Sequence, residues 1–499
     1  MSGSGQVVQT QIKRGFWQKV LQVFGNLLLA LLGVALALWM GRRIAADEWS
    51  LLVPAVGLLA YLAVAVIDAK HALFVWVVTA PFARFIHLNV ELGRGIPNLT
   101  LNRFMTGVLV ALLFAQLASR RRKMARLLAA DVFLLLFIGA AAFSVPSSLM
   151  GLKSAVQSFF DLLVVPVALY FLARNLIVSR RDLRAIMIVL FIVAFYLAFL
   201  ATQEQLTGKV WFYPEDRSIY YTRSIRRVVS LLGNPAYIAV SIGMAIPWAW
   251  YLFLHARRGR LWLLASIGLM ATGIIMCMNR SGWVGFILSQ VVMALFVPRF
   301  RRIFALMVIL VAVLAAVYWA VIIASPAVKE RLGAQGPIKY RQQTWRVALQ
   351  MIRDYPIFGL GYENFPRFYR QYAYWDIYLR AVPTPHNTYL WVFLMGGVVT
   401  FLPFIAFLGA VLFPAFKLYW QAAPRRQDLP FADLTGTFLA SMSAILVPAL
   451  VMDVLTGYYN TMLMFLIIGS FYGVASAERW SWWLQIGRAV RAKGGRASA

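Results

Sequence analysis

The residues best suited to chemistry lie in one polar stretch, residues 383–390, directly before a long apolar run. Two prolines end the preceding structure, and Asn387 or Thr388 can cap the helix that begins there. His386 is therefore placed at a helix N-terminus, where the helix dipole disfavours the imidazolium form. A neutral imidazole can serve as a general base. The same pattern also fits a surface histidine that merely flanks a helix end, so the rest of the chain must decide.

The composition predicts a membrane protein. Of 499 residues, 62% are apolar and 13% are charged, whereas soluble domains carry about a quarter charged residues. The first apolar run, 26–40, leads into Gly41–Arg43 without a small-residue cleavage site, so we expect a signal anchor. The single cysteine, Cys277, predicts neither a disulfide framework nor a metal cluster, and we expect no metal and no cofactor.

The formal net charge of +30 raises the question of nucleic-acid binding. The basic residues, however, stand in short clusters between apolar runs, such as Arg120–Lys123 and Arg180–Arg181. Clusters of this kind set membrane orientation and contact anionic lipid headgroups. The sequence therefore predicts membrane lipids as partners and no nucleic acid.

The apolar runs predict an all-α fold, a polytopic transmembrane helix bundle of about 14 spans (about 12–14), each needing about 20 mostly apolar residues. The candidate spans are 26–41, 51–67, 72–88, 104–118, 127–146, 156–173, 185–202, 236–254, 261–278, 283–297, 303–323, 387–413, 432–452 and 458–475. We divide the chain into N-terminal transmembrane helices (1–200), a central part (201–410) that includes a large helical loop (324–386), and C-terminal transmembrane helices with a basic tail (411–499).

The distribution of basic residues predicts the orientation in the membrane. With both termini in the cytoplasm, almost every dense basic cluster lies on the inner side, as the positive-inside rule requires. Two large segments, 203–235 and 324–386, then lie on the outer side. We therefore expect the chemistry to be extracytoplasmic, away from ATP and sugar nucleotides.

Arginines on the outer side work against this rule and need a second reason. One group, Arg223, Arg226 and Arg227, precedes the span at 236, and Arg280 lies in a tight turn between two spans. A charge at the membrane boundary costs a few kcal/mol unless it is paired, and a guanidinium offers a planar fork suited to phosphate oxygens. Alternatively, Arg280 reaches lipid headgroups or pairs with Asp453, and Arg227 is simply solvated in its long loop.

The long outer loop is expected to be helical. Residues 341–352 place apolar groups at helical spacing and predict an amphipathic helix, which Asp354–Pro356 ends. Gly359–Gly361 forms a turn, and a second helix with an aromatic face is expected after Asn364. Such a face usually packs at the membrane interface or against other helices, although aromatic rings also stack on sugars.

Three pieces of sequence occur in a fixed order. They are Arg227 with Gly233–Asn234–Pro235, then Asn279–Trp283 between two spans, and then Arg341, Asp354–Phe365 and His386–Leu390 around the long loop. Together they resemble the O-antigen ligase and O-antigen polymerase superfamily of polytopic bacterial glycosyltransferases. The likeness covers roughly residues 200–410, and the spans outside it match only in kind.

The resemblance implies metal-independent transfer of a glycan from an undecaprenyl-diphosphate carrier to an acceptor hydroxyl on a glycan, lipid or protein. The reaction is expected at the extracytoplasmic face of the bacterial inner membrane, with direct displacement inverting the anomeric centre. By resemblance, Arg280 and Arg227 bind the donor diphosphate and His386 is the catalytic residue beside the acceptor. Arg341 is expected to be a further phosphate-binding or scaffold residue.

The sequence departs from the family pattern after Pro235, where a second asparagine is often found and Ala236 stands here. The role given to Arg227 therefore stays open to Arg223 or Arg226. A span number nearer fourteen than twelve favours polymerase-like members over ligases, yet the choice between ligase and polymerase, and the acceptor and sugars, stay open.

Other functions make different demands on the sequence. A transporter or flippase of anionic lipid-linked glycans would need inverted repeats and charges at mid-membrane. Asp161, inside a predicted span, is the residue that best fits such a transporter, and we expect it to pair locally or with Lys153. A glycosidase would need two suitably placed carboxylates, and the outer Glu363 and Asp376 have no supporting motif. A structural scaffold would depend on neither His386 nor the arginines.

Overall fold

The computed structural model describes residues 52–85, 89–91, 93, 96–211, 228, 230–319, 324, 336–373, 384–422 and 429–494. Within these ranges the chain is almost entirely helical, which confirms the predicted all-α bundle. The predicted first span at 26–41 lies outside the described residues. So do Arg223, Arg226 and Arg227.

The first group of elements runs from residue 52 to residue 207. It comprises α1 (Leu52–Ile67), α2 (Ala69–Thr79), a 3₁₀ turn (Ala80–Phe85), β1 (Asn89–Val90), β2 (Leu99–Thr100), α3 (Leu101–Ala118), α4 (Ala129–Ser144), α5 (Leu152–Phe159), α6 (Val165–Leu176) and α7 (Arg180–Thr207). The two short strands pair antiparallel, with Asn89 opposite Thr100. A π-helical turn, Phe160–Val164, joins α5 to α6, so these two helices form one span.

The second group begins after residues 212–227, which lie outside the described residues. It comprises α8 (Pro235–His255), α9 (Arg260–Met276), α10 (Arg280–Phe296), α11 (Arg301–Val317), α12 (Gly336–Asp354), α13 (Phe365–Tyr372), α14 (Thr388–Ala422), α15 (Leu429–Leu446) and α16 (Tyr458–Gly494). The helices α12 and α13 are the two that the sequence predicts inside the long loop. They begin or end within a few residues of the predicted bounds.

The predicted spans coincide with helices wherever the structure describes them. Nine helical segments of the described chain are long and apolar enough to cross a membrane, and four shorter apolar helices accompany them. Every predicted span from 51–67 onward overlaps one of these segments. The agreement follows from composition, because lipid forces the backbone of a spanning segment to satisfy its hydrogen bonds internally as a helix.

The helix α8 lies at the centre of the bundle. It packs against α7, α9, α10, α15 and α16, and it is apolar on all sides, as expected of a helix surrounded by other helices. A buried hydrogen bond from Trp250 Nε1 of α8 to Gln290 Oε1 of α10 measures 2.9 Å. By contrast, α11 packs little against the rest of the bundle. Only 6% of its apolar, membrane-length stretch is buried inside the protein, so this helix faces the lipid.

Contacts between connecting segments define the two ends of the bundle. At one end, which we call the site end, Asn364 Oδ1 accepts from the backbone N–H of Leu149 at 2.7 Å. At the opposite end, Arg299 lies 3.4 Å from Asp433. The basic clusters Arg120–Lys123 and Arg180–Arg181 belong to connections at this opposite end.

The expected partner of Asp161 is wrong. Asp161 pairs with Arg103 at the start of α3, with Nε to Oδ1 at 2.7 Å and Nη2 to Oδ2 at 2.9 Å. Lys153 instead lies 3.3 Å from Glu91. Asp161 lies in the π-helical turn and faces α3, whereas Lys153 stands about two helical turns earlier, near the strand pair.

The long helix α14 is broken at Gly396 and Gly397, where the backbone leaves helical geometry. Gly397 has φ 62° and ψ −157°, a conformation that is essentially restricted to glycine. The loop before α13 fills the break: Leu360 N–H donates to Leu394 O at 2.7 Å, and Val398 N–H donates to Pro356 O at 2.9 Å. The backbone groups released by the break are thus satisfied by the loop.

We predict that Gly397→Ala destabilises the protein by about 1–3 kcal/mol, because alanine does not adopt this backbone conformation without strain. A Cβ at this position would also lie 2.1 Å from Ile357 O. Thermal unfolding in detergent measures the effect. Gly409→Ala in the same helix is the matched control, since a Cβ there meets nothing within 4 Å. Equal unfolding temperatures for the two variants would contradict the interpretation.

Candidate active site

The start of α14 is fixed by its own cap. Asn387 Oδ1 accepts from the backbone N–H groups of Tyr389 at 2.9 Å and Leu390 at 3.1 Å, which confirms Asn387 as the N-cap. His386 precedes the cap with φ 46°, an uncommon left-handed conformation for a residue other than glycine. The imidazole is thereby turned out of the helix, and 39% of its side-chain surface is exposed.

A buried carboxylate holds this segment in place. Asp453, 6% exposed, lies between α15 and α16 and accepts from the backbone N–H of His386 at 3.1 Å and of Asn387 at 2.9 Å. Next to it, Thr388 Oγ1 donates to Met452 O at 2.9 Å and accepts from Val454 N–H at 2.9 Å. Asp453 and its neighbours therefore fasten the N-terminus of α14 to the turn before α16.

The Nδ1 side of the imidazole faces the same carboxylate. Thr384 Oγ1 lies 3.2 Å from His386 Nδ1, and hydrogen bonding by Thr384 acts to lower the pKa of Asp453. A carboxylate on this side favours a proton on Nδ1. Nδ1 also lies 3.7 Å from Asp453 Oδ2. This arrangement places the ring proton on Nδ1 and makes Nε2 the basic nitrogen.

Arg280 reaches the same region from α10. Asn279 caps this helix by accepting from Gly282 N–H at 2.8 Å and from Ser281 Oγ at 2.7 Å. Ser281 Oγ lies 3.6 Å from Met452 Sδ, and Met452 is the residue whose carbonyl Thr388 binds. Arg280, the first residue of α10, thus stands at the same turn of the chain as the segment that carries His386.

The helix α12 covers the histidine from the loop side. The rings of Tyr340 and His386 meet edge to face, with centroids 5.7 Å apart. Trp345 Nε1 donates to Pro385 O at 2.8 Å. Arg341, between these two contacts, lies near enough for its charge to lower the pKa of Asp453, against the larger rise that burial causes. The structure thus brings Arg341, Asp453 and His386 together.

A second acid stands near Asp453. Glu363 follows the Gly359–Gly361 turn, in which both glycines have positive φ as the turn prediction requires, and it has φ 58° itself. Burial, reinforced by the negative charge of Asp453, raises the pKa of Glu363 to about 6. Burial likewise raises the pKa of Asp453 to about 6, although hydrogen bonds from Thr384 and from two backbone N–H groups act in the opposite direction.

The structure therefore places His386 and Arg341 beside Asp453, and it places Arg280 next to Ser281, which contacts Met452. Arg227 lies outside the described residues. The sequence analysis named Asp453 only as a possible partner of Arg280 and set Glu363 aside. Asp453 is an acid in a short connection between two apolar runs, and this position is the sequence feature that could have pointed to a functional role. Within the described part of the chain, no cluster of three or more histidine, cysteine or acidic residues could hold a metal ion.

A comparison with protein families agrees with this geometry. Residues 265–405 match the family model described as O-antigen ligase. The matched segment contains Arg280, Arg341 and His386 and lies inside the range in which the sequence resembles that superfamily. No curated protein matches the chain. The match over residues 265–405 and the polytopic helical fold together support membership in the O-antigen ligase superfamily.

Proposed function

We propose that the protein transfers a glycan from an undecaprenyl-diphosphate carrier to an acceptor hydroxyl at the extracytoplasmic face of a bacterial inner membrane. The family supports glycosyl transfer of the ligase or polymerase type. The carrier, the face of the membrane and the residue roles are our inferences. The observation that carries them is the docking of residues 386–388 on Asp453 and its neighbours, with the positive charge of Arg341 acting on the same carboxylate.

In this mechanism His386 is the general base. Asp453 and Thr384 fix the proton on Nδ1, so Nε2 takes the proton of the incoming sugar hydroxyl as the hydroxyl oxygen attacks the anomeric carbon. The bond from that carbon to the diphosphate oxygen breaks, and the carrier leaves as undecaprenyl diphosphate. Because attack and departure occur on opposite sides, the anomeric centre inverts. Product ladders would indicate a polymerase, and a single capped acceptor would indicate a ligase.

The arginines stabilise the leaving group. Negative charge grows on the diphosphate as the glycosidic bond breaks, and fixed cations placed where charge develops lower the barrier. Because Arg280 is the first residue of α10, the positive end of the dipole of that helix also stabilises negative charge at this position. Arg341 lies on α12, near enough for its charge to act on Asp453. Arg227 is proposed as a third contact from the preceding outer segment.

The orientation follows from charge. The clusters Arg120–Lys123 and Arg180–Arg181 connect helices at the end opposite to His386, and basic connections favour the cytoplasm. On this basis the site end faces the outside of the cell and both termini are cytoplasmic. Lipid-linked glycans that have already crossed the membrane are then the available donors.

We predict that His386→Ala lowers the rate of glycan transfer by about 10²–10⁴-fold, the usual contribution of a general base. Transfer is measured in membranes after correct folding has been verified. His71→Ala is the matched control, because His71 lies at the opposite end of the bundle and 67% of its side chain is exposed. A wild-type rate in His386→Ala would remove this residue as the base.

We predict that Arg280→Ala lowers transfer by about 10²–10³-fold, since it removes a fixed cation from the developing diphosphate charge. Arg280→Lys should restore activity only partly, because an ammonium lacks the planar fork of a guanidinium. Arg302→Ala, an exposed arginine of α11 at the opposite end, is the control. Full activity in both Arg280 variants would exclude a diphosphate contact by this residue.

We predict that transfer slows as the pH falls through about 6. Burial raises the pKa of Asp453 to about 6, so its carboxylate is charged at neutral pH and takes up a proton below this value. Protonation weakens the hold on His386. Asp453→Asn should be slow at every pH, whereas Glu363→Gln should keep the acidic fall in rate because Asp453 is intact. A rate independent of pH between about 5 and 8 would contradict this role.

A further inference from the structure

A cavity lies at the site end, outside the group formed by His386, Asp453 and the arginines. This cavity has a volume of about 700 Å³, within the range of about 300–1,000 Å³ that small-molecule sites usually have. It lies between the end of α2, the start of α3, the π-helical turn and the starts of α8 and α16. The polar residues that face it include Asn102, Ser158, Asp161, Tyr237, Tyr458 and Asn460.

Two residues that line this cavity carry buried polar atoms with no hydrogen-bond partner among the described residues, Asn460 Oδ1 and Tyr458 Oη. Asn460 is fully buried, and its Nδ2 donates to Tyr237 O at 3.0 Å and to Ser241 Oγ at 3.2 Å. These two acceptors fix the orientation of the amide, so Oδ1 is an acceptor, and it has no hydrogen-bond partner among the described residues. A buried acceptor left unsatisfied costs about 1–3 kcal/mol, so a ligand that donates a hydrogen bond would relieve a real cost.

Asp161 supplies a second acceptor. The π-helical turn Phe160–Val164 carries it into the cavity wall, and such turns occur frequently at functional sites. Arg103, 8% exposed, holds the carboxylate through two hydrogen bonds, yet 37% of the Asp161 side chain is still exposed. The carboxylate is therefore fixed, neutralised by its partner and open to donors from the cavity.

The cavity shares a wall with the candidate active site. Thr456 Oγ1 donates to Asp453 O at 2.7 Å, so the hydroxyl of Tyr237, 3.1 Å away, must donate to Thr456. On another side, Ser158 Oγ lies 3.3 Å from Tyr362 Oη, next to Glu363. Thr456, which lines the cavity, thus bonds to the backbone of Asp453, the residue whose carboxylate holds His386.

We propose that this cavity binds a sugar ring of the glycan, and this proposal rests on the proposed function. A sugar brings several hydroxyl donors for Asn460 Oδ1 and Asp161, and the rings of Tyr237, Tyr458 and Tyr459 offer apolar faces for its C–H groups. An acyl chain would leave the exposed carboxylate of Asp161 without a donor from the ligand. A phosphate would meet the carboxylate of Asp161. The sugar belongs either to the donor or to the acceptor.

The test fills the cavity and measures binding in the full-length protein. Ala83 lines the cavity, and Ala83→Trp places an indole in it. The probes are undecaprenyl diphosphate without a sugar and the lipid-linked glycan extracted from membranes of the producing cells. Ala265→Trp, at an exposed position of α9, is the matched control. We expect Ala83→Trp to bind the bare carrier lipid like the wild type. We also expect at least about a tenfold change in one of two quantities, a weaker binding of the lipid-linked glycan or a higher KM for the acceptor.

The two sources of the sugar give different results. Weaker binding of the lipid-linked glycan assigns the cavity to the donor sugar, and a raised KM for the acceptor with unchanged donor binding assigns it to the acceptor sugar. Unchanged glycan binding and unchanged acceptor KM would overturn the proposal. If the wild type neither binds bare undecaprenyl diphosphate nor transfers glycan, the proposed function itself fails, which is a separate outcome.

A milder variant keeps the test valid if Ala83→Trp does not fold. Tyr458→Phe removes only one hydroxyl from the cavity wall. We expect it to weaken binding of the lipid-linked glycan, or to raise the KM for the acceptor, by about 2- to 10-fold. Tyr318→Phe is its control, because Tyr318 is 53% exposed at the end of α11. Identical constants in Tyr458→Phe and Tyr318→Phe would count against a sugar in this cavity.

Discussion

The site depends on one buried carboxylate that must be satisfied. Asp453 is 6% exposed, and an unpaired charge at such a position would cost several kcal/mol. Two backbone N–H groups, those of His386 and Asn387, satisfy it. Because both donors must point at one carboxylate, the chain enters α14 with His386 in a left-handed conformation. The direction of the imidazole is therefore a consequence of satisfying Asp453.

The long loop is held over this centre at three separate places. Trp345 ties α12 to Pro385, the Pro356–Leu360 segment fills the break in α14, and Asn364 binds the backbone after α4. In each of these hydrogen bonds at least one partner is a backbone group. They therefore fix the position of the loop more tightly than side-chain packing alone would. The helix that carries Arg341 consequently has a defined place relative to His386, although it belongs to a segment that the sequence marks as a loop.

Much of this could be predicted from local sequence, and the remainder could not for a physical reason. Spans, the helix α12, the Asn387 cap and the glycine turn depend on composition or on neighbours within a few residues. The bond between Asp453 and His386 joins residues 67 positions apart, and no local pattern encodes it. Asp161 shows the same limit: Lys153 was nearest in sequence, but the π-helical turn aims the carboxylate at Arg103. The only local sequence feature that could have predicted the break in α14 is the pair Gly396 and Gly397.

The acids of the site end could be thought to cancel the arginines that we assign to the diphosphate. Two of these acids, however, are compensated locally. Asp161 is held by Arg103, and Asp453 accepts from two backbone N–H groups. These local donors offset much of the carboxylate charge, so a dianionic leaving group can still be favoured beside the arginines.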